Sequence, residues 1–349
     1  MVDYKRFLIA LCLLCSLPSA ASAEDKFMRF LGWLDAWLEK GQRQGIDTNY
    51  IEVPKLNRQV YIGQYTYYQN YDMTMPFSIE DAQAIIPGIR NNDHYTIDAY
   101  TWQHEIELGI DWKGLALELP IPVRNKYLYS YGIAKNGSVW GARLRYKNLK
   151  SMDGHCNIGD QTIDKESNGV RTFFIEGYYV LFHKKFSLSA GLYADMVQKR
   201  SAGSPLFYAN FYRSHYTISK TFPSNFDSFI TKQVSVGAGY AYNLSLLQGN
   251  LVFHGSVVPM FSLYNNLIHE TSLTSEENAE QWNDFYAAAD QGHARFRVNV
   301  FTRFAVNYSF SRYIVTFLAN YRNYGYKNKE DLRIKNQELD LQLNVCVRF

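Results

Sequence analysis

Several things are scarce in this sequence. Past residue 23 there is no apolar run long enough to cross a bilayer as a helix, which takes about 20 residues. Only two cysteines lie there, Cys156 and Cys346. Cys156 reads as loop and Cys346 as mid-strand, and a bridge needs Cα atoms within about 7 Å, so none is expected. Charge of one sign is also lacking. Lys and Arg number 36 against 33 Asp and Glu, a net charge of +3, which gives no footing for a nucleic-acid partner. His94, His155, His183, His215 and His269 are dispersed without metal-ligand spacing. There is no Walker loop, no G-x-G-x-x-G and, past residue 23, no CxxC. These absences leave no metal and no cofactor to expect.

Aromatic residues, by contrast, make up 16% of the chain, with 28 Tyr and 22 Phe, while mean hydropathy is mildly negative. A membrane β-barrel reconciles the two, because only alternate residues of each strand face lipid and aromatics gather in girdles at both interfaces. The N-terminus agrees. Lys5 and Arg6, the apolar run Phe7 to Leu17, and Ala21-Ser22-Ala23 have the order of a secretory signal peptide. The expected organisation is a signal peptide at 1–23, an amphipathic helix at 24–46 and an outer-membrane β-barrel at 47–349. In the helix, Phe27, Phe30, Leu31, Leu34 and Leu38 recur at helical spacing, flanked by Trp33 and Trp37. That pattern suits a helix packed on the barrel base or lying in the membrane interface, ahead of a plug.

The fold class expected is all-β: a transmembrane antiparallel barrel of about twelve strands, with ten to fourteen acceptable, plus the short N-terminal helix. The twelve are read near 59–68, 104–112, from 115, 138–147, 171–181, 186–195, 204–214, 233–242, 250–264, 293–308, 313–324 and at the C-terminus. With both termini in the periplasm, turns there should be short and outer loops long. Two connections break that rule: a short outer turn at 182–185 and a long periplasmic stretch at 149–170. Segment 122–137 reads as an outer loop.

The last strand alternates fully. Leu341, Leu343, Val345, Val347 and the terminal Phe349 share one face; Asp340, Gln342, Asn344, Cys346 and Arg348 share the other. It resembles the closing-strand signature of Gram-negative outer-membrane barrels, which implies the barrel-assembly machinery as a partner through this strand. Further stretches carry a family resemblance: Gln198-Lys-Arg-Ser-Ala-Gly-Ser204, Val236-Gly-Ala-Gly-Tyr-Ala-Tyr242, Gln248-Gly-Asn, Asp47-Thr-Asn-Tyr-Ile and Lys113-Gly-Leu-Ala-Leu. On these the chain resembles the outer-membrane proteins of Bacteroides-type bacteria catalogued as domain of unknown function 4421, from about residue 47 to 349. The resemblance implies a barrel and a Gram-negative surface. It supplies no activity and no catalytic residues.

One pair could carry chemistry. His254 and Ser256 stand two apart on one strand, so their side chains lie side by side. Outer-membrane phospholipases and lipid A deacylases use such a His-x-Ser pair with an orienting acid or amide on the neighbouring strand. Those enzymes typically have Asn after the Ser, whereas Val257 stands here. An Asn, Asp or Glu within reach of His254 would support that reading, and an apolar neighbour would sink it. The second feature is charge on inward positions: Arg143, Arg145, Arg295, Arg297, Arg303, Arg322 and Arg348 with Glu105, Glu107, Glu118, Glu176, Asp195 and Asp340. They make either a polar pore that attracts anions or a self-neutralising network filling a narrow barrel. The expected role is an outer-membrane barrel in contact with lipid, structural or engaged in passive passage or binding of a small solute. The alternatives are a lipid hydrolase using His254 and Ser256, and a secreted soluble carbohydrate-binding β-protein.

Overall fold

A computed structural model describes residues 21–76, 94–121, 128–158, 161–217, 226–271, 298–327 and 333–349. Helix α1 spans Ala21–Arg43. Twelve strands build the barrel: β1 Arg58–Pro76, β2 His94–Trp112, β3 Leu115–Ile121, β4 Leu128–Lys135, β5 Trp140–Ile158, β6 Gln161–Val180, β7 Ala202–Thr217, β8 Phe226–Leu246, β9 Leu251–Thr271, β10 Val298–Phe310, β11 Tyr313–Lys327 and β12 Arg333–Arg348, while the short stretches Ile51–Glu52 and Val197–Gln198 pair with each other outside it. All neighbours pair antiparallel, and β12 pairs with β1 from Arg348 opposite Gln59 to Arg333 opposite Thr74. The sheet therefore closes on itself and leaves no edge.

Side-chain alternation follows closure. On β12, Asp340, Gln342, Cys346 and Arg348 are buried inside, while Leu343, Val345, Val347 and Phe349 are exposed outside. Lys113 and Gly114 both have positive φ (53° and 83°), the backbone of a type I′ hairpin turn between β2 and β3. The end that holds this turn also holds α1 and the C-terminus, where Phe349 N–H donates to the Arg58 carbonyl. We call it the lower end.

The strand number matches the expectation, but two strands differ from it. Segment 186–195 is not a strand. It belongs to a stretch, 181–201, that enters the lower mouth of the barrel and forms the single helical turn α2, Leu188–Leu192. Its alternation does not mark an inner and an outer face, because residues at both sets of positions are buried. Leu188 and Leu192 stand four apart, and the Ser187 hydroxyl accepts from the Ala190 N–H as an N-cap. Conversely, the loop expected at 122–137 contains β4. Its inward residues Ser130, Gly132 and Ala134 are small, so opposite Tyr131 and Ile133 they give little hydropathic contrast.

These two changes remove both exceptions as first placed and leave a different one, the long lower connection 181–201 between β6 and β7. The stretch 149–170 is not a lower connection but the top of β5 and β6, paired as far as Ile158 opposite Gln161. The β3–β4 hairpin is short, pairing with β2 only up to Ile106 opposite Ile121. Above it β2 pairs directly with β5, from Tyr100 opposite Asp153 to Tyr95 opposite Ile158. The wall is thus twelve strands round at its lower end and ten round above. β1 was hard to read because its inward residues Tyr65, Tyr67 and Tyr71 are themselves aromatic.

Candidate functional site

The lumen is the candidate site, and inward alternation from every long strand builds it. At mid-height it is filled by paired charges. Arg145 donates to Glu107 at 2.7 Å and lies 2.9 Å from Glu118. Arg143 pairs with the same Glu118, and Arg303 with Glu176. Arg322 donates to Asp340 at 2.6 Å, and Lys147 donates to the other Asp340 oxygen at 2.7 Å. Glu338 stands 3.3 Å from Lys147 and 3.4 Å from Arg322. Tyr65 O–H donates to Asp340 at 2.5 Å, and the Arg145 guanidinium lies 4.5 Å from the Tyr65 ring centre. Every expected lumen charge within the described residues is buried, including Glu105, Arg348 and Asp195. Asp195 stands on the inserted stretch rather than on a strand, and the charges of Lys135 and Arg348 face it. Arg295 and Arg297 lie outside the described residues. Lys147 and Glu338 complete the network and were not anticipated; both stand at inward positions of long strands.

Above the charges lies an aromatic layer. Tyr71 stacks on Tyr216 with centroids 4.8 Å apart, Tyr212 on Tyr324 at 4.0 Å, and Phe301 meets Tyr324 edge-on at 5.7 Å. The inward tyrosines of these strands therefore serve as filling.

Below the charges, wall side chains hold the backbone of the inserted stretch. Asn307 Nδ2 donates to the carbonyls of Ala190 (3.2 Å) and Gly191 (2.6 Å). Asn243 Nδ2 donates to the Ser187 carbonyl at 2.7 Å, and Gln59 Nε2 to that of Ala194 at 3.0 Å. Arg348 also donates to the Ala194 carbonyl. From within the stretch, Gln198 Nε2 donates to the carbonyls of Lys185 (2.7 Å) and Arg200 (2.8 Å). Leu188, Leu192 and Phe186 pack among Val258, Ala305 and Leu318 of the wall. Sequence reading missed Gln59, Asn243 and Asn307. Their one signal was an amide at an inward position near a strand's lower end.

The same amides meet the His-x-Ser pair. Asn243 and His254 are partners across β8 and β9. The His254 Nδ1–H donates to Asn243 Oδ1 at 2.7 Å, and the Ser256 hydroxyl donates to His254 Nε2 at 3.2 Å. Asn243 Nδ2 is committed to a carbonyl, so its Oδ1 faces the ring and sets that tautomer. An orienting amide, a base and a hydroxyl are therefore in line, as an acyl-transfer site needs. The surroundings oppose a reaction. His254 is 1% exposed and Ser256 6%, both pointing inward. Phe186 lies over the imidazole with centroids 6.4 Å apart, and Gly191 is so close that a Cβ there would come within 2.6 Å of His254 Nδ1. No room for an acyl substrate remains between the wall and α2.

Small cavities lie in the lumen among the described residues. One, of about 30 Å³, lies at the lower end among Gln59, Asp111, Glu118, Asn136, Thr316 and Gln342. Another, of about 20 Å³, lies among Tyr71, Tyr212, Gln233, Asn265, Tyr324 and Asn336. Each has room for one or two waters.

At the rim below, Lys113 Nζ donates to Asp35 Oδ2 at 2.7 Å and to Glu39 Oε2 at 2.8 Å, tying α1 to the β2–β3 turn. The hydrogen bond from Lys113 holds the carboxyls of Asp35 and Glu39 below the usual carboxylate range. Burial opposes charge on Lys113, but its two carboxylate partners outweigh it and raise the ammonium above its ordinary value.

Comparison with solved structures returns other barrels. The β domain of the Bordetella autotransporter BrkA is 8% identical, with a TM-score of 0.36, over 84% of this chain and 99% of that one. The outer-membrane protease OmpT of Escherichia coli is 7% identical, with a TM-score of 0.35, over 84% and 98%. The translocator domain of the autotransporter NalP from Neisseria meningitidis is 8% identical, with a TM-score of 0.35, over 94% and 98%. These likenesses are distant and say nothing of activity. No curated protein matches the chain. The sequence profile that does match covers residues 45–349, so nearly all of the chain past its N-terminal helix belongs to the family described as domain of unknown function DUF4421.

Proposed function

We propose that this protein is an exported outer-membrane β-barrel with a sealed lumen, a membrane-embedded scaffold rather than a conduit. The single observation that carries the reading is the interior: the charges pair with one another while buried, and segment 181–201 fills the lower mouth. Side chains that neutralise each other leave no fixed charge to draw an anion through.

Membrane placement is supported by the outer wall. Ile62, Ile106, Leu108, Ile110, Ile133, Val257, Leu263, Leu343 and Val345 are exposed large apolar residues. Water disfavours such a belt and a bilayer does not. Trp140, Tyr179, Tyr308, Tyr313 and Phe349 stand exposed around the lower end, and Tyr68 packs with Trp102 about ten residues higher, close to the ~25 Å band of such barrels. No helix among the described residues is long and apolar enough to cross, so the strands would do it. The lower end is then periplasmic. The outward row Leu341, Leu343, Val345, Val347 and Phe349 is what the barrel-assembly machinery would read, and the leader at 1–23 would bring the chain to it. A soluble carbohydrate-binding protein would not present this belt. The hydrolase reading keeps Asn243–His254–Ser256 in its favour and lacks a route for substrate.

Conductance of the refolded protein in a planar bilayer tests the proposal. A folded, heat-modifiable protein that gives no discrete steps is expected. Stable steps, above all anion-selective ones, would overturn it.

A further inference from the structure

Helix α1 has three faces. Leu31, Leu34, Asp35, Leu38 and Gln42 make the stripe toward the barrel: Leu38 is wholly buried, and Asp35 accepts from Trp112 Nε1 at 3.0 Å. A second ridge is aromatic and open. Phe30, Trp33 and Trp37, at helical spacing, stack with centroids 6.0 and 6.3 Å apart, yet are 53%, 59% and 40% exposed. The next edge carries exposed Arg29, Lys40 and Arg43. Bare stacked indoles are costly in water unless something covers them.

We infer that this ridge is seated in the phospholipid leaflet at the periplasmic side of the barrel, making α1 an interfacial anchor continuous with the barrel's lower aromatic ring. This rests on the membrane placement proposed above. Continuity is the reason to name lipid as the occupant. Lys135 Nζ lies 5.5 Å from the Trp37 ring and 5.9 Å from that of Trp140, so one ammonium spans the helix ridge and the barrel ring. The helix cannot swing off that level: the Gly41 and Gln44 carbonyls accept from the Ser138 hydroxyl at 3.1 and 2.9 Å, on the β4–β5 turn beside Trp140. Indoles at headgroup depth flanked by cations are what an interfacial helix uses to hold anionic and zwitterionic lipid.

The test uses full-length protein refolded into phosphatidylcholine–phosphatidylglycerol vesicles, with Cys12, Cys15 and Cys156 replaced by serine and the buried Cys346 left in place. A single environment-sensitive fluorophore is attached through Trp33→Cys, Gly32→Cys or Val345→Cys. A side chain added at Gly32 meets nothing within 4 Å, and Val345 is on the outer wall. Brominated lipid should quench the label at 345 and, at least about twofold more strongly than at 32, the label at 33. Quenching at 345 with none at 33, or equal quenching at 32 and 33, overturns the anchor and leaves the membrane barrel standing. No quenching at any position overturns both.

Discussion

The two ends of the lumen's filling are held by different chemistry. At the lower end, neutral amides of the wall grip backbone carbonyls of an inserted stretch: Asn307 on Ala190 and Gly191, Asn243 on Ser187, Gln59 on Ala194. At mid-height, side chains of the wall grip each other by charge, with Asp340 between Lys147 and Arg322. The difference lies in what failure costs. An amide that loses its carbonyl leaves one neutral group unsatisfied, whereas a carboxylate that vanishes leaves buried cations without a counter-charge. The belt is therefore unforgiving of single changes, and the lower plug is comparatively easy to loosen.

The largest expected effect sharpens this contrast. Asp340→Leu should cost about 3–5 kcal/mol, because it strands Lys147 and Arg322 on Glu338 alone. Urea unfolding in vesicles would read the loss. Replacing a whole pair, Arg303→Met with Glu176→Leu, should cost far less than either single change. If the double variant is as unstable as the singles, desolvated charge is not what governs the belt.

Asn307→Leu should cost about 1–3 kcal/mol and act locally. Protease cleavage within 181–201 should quicken while the barrel stays folded. Equal loss of the plug and the barrel would erase the distinction between the two ends.

Ser256→Ala should be milder, about 1 kcal/mol, since it removes one hydrogen bond to His254. Wild-type protein should resist a fluorophosphonate probe, read by mass spectrometry at Ser256. Labelling of the intact barrel would return the hydrolase reading to the front.

The smallest effect concerns the rim. The carboxyls of Asp35 and Glu39 are held below their ordinary values by Lys113. Their contribution is present above the unfolded carboxylate pKa, about 4. It is lost as pH falls through the lower folded values. Docking of α1 should weaken only below about pH 4, seen as faster cleavage after α1, with Lys113→Met abolishing the pH dependence.

Much of this was readable in the residues because alternation reports which face of a strand is buried. β12 shows it from Leu341 to Phe349, and the charges at Arg143, Arg145, Glu107, Glu118, Glu176, Arg303 and Arg322 were placed inward on that basis alone. The periodicity fails where contrast fails. β4 puts serine, glycine and alanine inside, and β1 puts tyrosine inside. Stretch 186–195 misled in the opposite way: it alternates, but both sets of positions are buried, with Tyr193 alone partly so.

The sequence by itself determined the class of wall and the inward direction of its charges, since both follow from local alternation and turn chemistry. Only the tertiary structure decided that the mid-height charges pair with one another, that α2 sits inside the lower mouth, and that Asn243 orients His254 beneath a lid of backbone. Those depend on residues far apart in the chain meeting across a closed cylinder. No local pattern encodes which inward side chain faces which.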